Sequence, residues 1–179
     1  MRLGVAEPPA CCDFPLHIAI KTDADASVVQ ELVRLWPDAI AEIESADGGY
    51  SLHTLIDSAA TTTALSSAGL LGFASNATVL QLRREIEART ATTKRAHAKC
   101  AVAYVLVAAG AKLNDNSVLN QAGRTPIDHL SHQVLSTVVS SNNITNAPFS
   151  PKLTLHRHLE FTFREIVQFQ TECVAPRRR

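Results

Sequence analysis

Histidine and cysteine are the residues of this 179-residue chain best equipped for chemistry, with seven of the first and four of the second. His129 and His132 are three apart, a spacing that puts both on one side of a helix, and His156 and His158 are two apart. Structural zinc needs a closed set of four nitrogen or sulfur ligands, usually with paired cysteines a few residues apart. Cys11 and Cys12 are adjacent, and Cys100 and Cys173 stand alone, so no such pair accompanies the histidines. No Gly-x-Ser-x-Gly elbow is present to expose a nucleophilic serine. Gly69-Leu70-Leu71-Gly72 lacks the Lys-Ser/Thr that completes a phosphate loop. Arg83, Arg84, Arg89, Lys94, Arg95 and Lys99 could line one basic helix, but no interleaved aromatics or reading motif point to nucleic acid. The expectation is a protein without catalytic residues, cofactor or metal.

The elements that would position these residues read as helices. Val28, Val29, Leu32, Val33 and Leu35 recur at helical spacing, with Ser27 expected as N-cap and Pro37 as terminator. Cys100 to Ala109 forms a second apolar helix closed by Gly110, a residue free to take the left-handed conformation of a helix end. Val79 to Arg89 reads as a further helix that can run on through Lys94-Arg95 to Ala109. In Gly123-Arg124-Thr125-Pro126-Ile127-Asp128, Thr125 is placed to cap a new helix and Pro126 to occupy its first position. The polar run Ser140 to Pro148 reads as a loop. Leu153, Phe161, Phe163, Ile166, Val167 and Phe169 then mark a last helix with one apolar stripe.

Helix, Gly-Ala, polar hairpin, Gly-x-Thr-Pro, helix: the stretch from Ala108 to Asp128 resembles the join between two ankyrin repeats. Phe14-Pro15-Leu16-His17 and Gly49-Tyr50-Ser51-Leu52-His53 resemble the same helix opening with its Leu-His pair. Leu16 and Leu52 are 36 residues apart, near the repeat period of about 33. Leu52 and Ile127 are 75 apart, which requires an insertion of about 40 residues. The resemblance implies an all-α stack of helix-turn-helix repeats with an inserted helical segment and a C-terminal capping helix. The chain then forms a single domain: repeat 1 at about 12–46, repeat 2 at about 47–120 with its insertion at about 61–95, and repeat 3 with the cap at about 121–174.

An ankyrin-like stack implies a non-enzymatic scaffold that binds another protein through hairpin tips and the exposed side of its inner helices. Carried over by position, the inner-helix candidates are Ile18, Lys21, Thr54, Asp57, His129 and His132. The tip candidates are Glu44, Asp47 and Tyr50 in one hairpin and Asn116, Asn120 and Arg124 in the next. Leu16, Ala19, Leu52, Leu106 and Ile127 are expected inside, and His17 and His53 to stitch neighbouring repeats by hydrogen bonds. Tyr50 has a second reading, packed beneath the adjacent hairpin.

Composition sets the remaining bounds. Net charge is zero, yet residues 1–57 hold ten acids against three bases, and residues 83–124 hold eight bases against three acids. Such a gradient can steer a charged partner or simply reflect differing solvated faces. Irregular cysteines and the absence of an N-terminal apolar run suit a cytoplasmic monomer, with the nucleus as the alternative compartment. Residues 58–82 carry no charge, but ten of the 25 are Ser, Thr, Asn or Gln, too polar for a spanning helix. Two alternatives stay open: a metal-binding or catalytic protein using the histidines and the inserted segment, or a membrane-associated protein using residues 58–82.

Overall fold

The structure, a computed structural model, describes residues 14–43, 48–61, 79–142 and 151–174. Every regular element among them is helical: α1 (Pro15–Lys21), α2 (Ala26–Leu35), a 3-10 turn (Pro37–Ile40), α3 (Ser51–Thr61), α4 (Val79–Ala108), α5 (Pro126–Asn142) and α6 (Pro151–Val174).

Local chemistry sets most of the ends. Pro15 opens α1 and Pro126 opens α5, positions where the missing N–H costs nothing. At α5, Thr125 Oγ1 accepts the Asp128 N–H (3.2 Å) and donates to Asp128 Oδ2 (2.8 Å), a reciprocal cap. Gly110, at φ +107°, closes α4. Its N–H reaches the Val107 carbonyl (3.0 Å), and the Ala111 N–H reaches Leu106 (2.9 Å), the paired bonds of a Schellman end. Helix α1 ends the same way with Asp23 in the glycine's place, at φ +57°, and the Ala24 N–H bonded to the Ala19 carbonyl (2.9 Å). No local pattern flags Asp23, because an aspartate in that conformation costs energy that only its surroundings offset.

Three expectations need correction. Helix α2 begins at Ala26, so its N-cap is Asp25 and Ser27 lies inside the first turn. Helix α5 continues through Ser140, Ser141 and Asn142, so continuation of the helical backbone outweighs the weak helix propensity of these residues. The apolar stripe of α6 is Leu155, Leu159, Phe163 and Ile166; Phe161 and Phe169 are 64% and 67% exposed. Phe161 lies two residues from both Leu159 and Phe163, and two residues turn a helix by about 200°. The expected fusion of two helical segments does occur: α4 runs unbroken for 30 residues.

The helices contact one another in two rows. Helix α1 packs on α3 and α3 on α5; α2 packs on α4 and α4 on α6. Each member of the first row also packs on its successor in the second, α1 on α2, α3 on α4 and α5 on α6, and α3 meets α6 as well. Between the rows lies one apolar core, including Leu16, Ile20, Val29, Leu52, Leu55, Ile56, Ala103, Leu106, Leu130 and Leu159. Leu16, Ala19, Leu52 and Leu106 are buried as expected, and Ile127 is half-buried against the core. Ala59, Ala96 and Ala103, each at 0% exposure, put small side chains inside the core.

Candidate functional site

Polar side chains of α3 reach across to the loop before α5 and to α5 itself. The Tyr50 N–H donates to His53 Nδ1 (3.3 Å), which puts the ring proton on Nε2, and that proton goes to the Arg124 carbonyl (3.0 Å). The Tyr50 hydroxyl donates to the Ser117 carbonyl (3.4 Å). One turn further along α5, Asn120 Nδ2 donates to His129 Nδ1 (3.2 Å), and His129 Nε2 donates to Asp57 Oδ1 (2.7 Å). Gln133 Nε2 approaches the same carboxylate oxygen at 3.4 Å. The rings of His53 and His129 meet nearly edge to face, 5.6 Å between centroids. Burial pushes the His53 pKa down, against the Arg124 carbonyl, which favours its protonated form.

An Asp–His pair resembles the supporting half of a catalytic triad, but its geometry is that of a strut. Both His129 nitrogens are engaged, Nδ1 as acceptor and Nε2 as donor, so neither is turned toward a hydroxyl or thiol that it could deprotonate. Among the described residues, no three His, Cys, Asp or Glu side chains are grouped to hold a metal ion. No helix among them is long and apolar enough to cross a membrane; residues 62–78, most of the uncharged stretch, lie outside the described residues. A shallow depression lined by Val107, Leu113, Val167 and Gln170, among others, contains none of the histidines.

The twelve candidate surface residues divide. Ile18 (46% exposed), Lys21, Asn116 and His132 stand in solvent, and Tyr50, Asp57, Asn120 and Arg124 are half-buried. Thr54 and His129 are buried, at 3% and 8%, and present no surface to a partner. The cause is the crowding of α3 and α5: α3 contacts α1, α4, α5 and α6, and the His129 ring is drawn inward by Asp57 and Asn120. Tyr50 takes its alternative role beneath the neighbouring loop. Glu44 and Asp47 lie outside the described residues.

Three features escaped sequence reasoning. Leu135 and Val139, one turn apart on α5, are each 64% exposed. Their i, i+4 spacing was the available signal, but it resembles an ordinary core stripe. Lys99, 3% exposed, sits between Asp23 Oδ1 (2.5 Å) and Ser58 Oγ (2.8 Å), and Arg95 pairs with the other Asp23 oxygen. Burial pulls the Lys99 pKa down while Asp23 holds it up. His156, at 0% exposure, has no hydrogen-bond partner for either ring nitrogen; the Ile56 backbone lies beside the ring without closing a bond of normal geometry. No protein-family model, curated protein or solved structure matches this chain.

Proposed function

We propose that the chain is an ankyrin-like stack of three irregular repeats that acts as a non-enzymatic scaffold for another protein. The repeats would be the hairpins α1–α2, α3–α4 and α5–α6, with α1, α3 and α5 as the inner layer. The observation that carries this reading is the pairing order, in which first helices meet first helices and second helices meet second helices. Bonds from α3 to the next loop, His53 to Arg124 and Tyr50 to Ser117, support it, because they join one hairpin opening to the next. The engagement of both His129 nitrogens supports a structural role for the Asp57–His129 carboxylate–imidazole pair.

Ile18, Lys21, Asn116 and His132, extended by Leu135 and Val139, form the revised contact set. Exposed apolar side chains bordered by polar ones suit a protein partner. Photo-crosslinking amino acids at Asn116 and His132 should trap a saturable partner, whereas the same groups at Tyr104 and Phe161 on the second row should not. Crosslinks arising only from Tyr104 and Phe161 would move the binding surface to the opposite row and refute this assignment.

A further inference from the structure

We propose that His156 is an acid-operated latch holding the first turns of α6 against α3 and α5. An imidazole sealed from water without a hydrogen-bond acceptor can remain in place only while neutral, since a buried cation without a partner is far costlier than a buried neutral ring. The groups facing it do not offset that cost. On α3 the Ile56 backbone and the Asp57 carboxylate favour a proton, but Ile56 closes no bond of normal geometry and Asp57 already accepts from His129 and approaches Gln133; Lys152 on α6 adds positive charge, and His129 on α5 is committed to Asp57 and Asn120. On the same helix, Arg157 is exposed, and Glu160 is held by Arg164 (2.6 Å). Burial is the main reason the His156 pKa falls to about 4, with Lys152 acting in the same direction.

Protonation of His156 therefore opposes the closed arrangement, because the ring is sealed from water with neither nitrogen bonded. The contribution of a histidine held neutral is present above its ordinary value near 6.5 and is lost as pH falls through the folded value. Leu159, Phe163 and Ile166 anchor the remainder of α6 in the core, so the opening falls in the turns before Leu159 and lifts Leu155 from the core together with His156.

Hydrogen exchange on the full chain, stepped from pH 7.5 to 4 and corrected for intrinsic rates, tests the latch. Amides of residues 154–158 should lose protection at least tenfold between pH 6.5 and 4, while those around Leu106 keep theirs. His156→Gln, which cannot titrate, should retain protection across the range, and His156→Phe serves if the glutamine variant is unfolded at pH 7.5. Equal loss in the wild type and either folded variant, or no local loss in the wild type, would overturn the proposal. So would global unfolding with no separate opening of α6, or failure of both variants to fold at neutral pH.

Discussion

Asp23 gives the sharpest test of how the rows are joined, because one carboxylate serves two cations from α4. The perturbation is Asp23→Asn, which keeps the shape and tolerates φ +57° but removes the charge. Breaking a buried pair by removing one partner typically costs about 3–5 kcal/mol. Lys99 is buried at 3% exposure, but Asp23 is one-third exposed, and Ser58 still accepts from the ammonium. Solvent screening at the carboxylate and the surviving hydroxyl bond reduce the expected loss to about 2–3 kcal/mol. For a chain of this size that lowers Tm by about 5–10 °C. Urea unfolding followed by circular dichroism at pH 7 gives the value directly. Adding Lys99→Met to Asp23→Asn should recover more than about 1 kcal/mol, since an apolar side chain needs no counter-charge. The deficit of Asp23→Asn should also shrink as pH rises toward 10, because burial already disfavours the Lys99 cation and deprotonation relieves it. A loss below about 0.5 kcal/mol, or one independent of pH, would refute the claim that this pair is buried and coupled.

Thr125→Ala should cost about 1–2 kcal/mol in thermal or urea unfolding, because Thr125 caps α5 and bonds Asp128 at 2% exposure; Thr125→Ser should stay near wild type. Gly48→Ala should cost about 2 kcal/mol: Gly48 has φ +58°, and a Cβ there would lie 2.3 Å from Gln121 Cγ. Gln121→Ala in the same chain should restore about half of that loss, leaving the backbone share, and full additivity in the double-mutant cycle would show that the two residues do not meet.

Much of the helical plan was legible in short stretches. Pro15, Gly110 and the Thr125-Pro126 pair act through bonds to residues within a few positions, so sequence proximity is enough to reveal helix ends. The α6 stripe was misread because Phe161 and Phe169 are apolar residues beside a buried row, and hydrophobicity alone does not say which side meets the core. Thr54 and His129 were misjudged because their exposure depends on how many helices surround α3 and α5.

The sequence by itself determined an all-helical chain and most of its local stops and starts, because these follow from backbone geometry and helical periodicity. Tertiary structure alone decided the carboxylate shared by Arg95 and Lys99, 72 and 76 residues beyond Asp23, and the sealing of His156 where α6 meets α3 and α5. Charges and imidazoles have no preferred partner along the chain. Their protonation and pairing are set by the water that packing removes, and packing joins residues that sequence distance keeps apart.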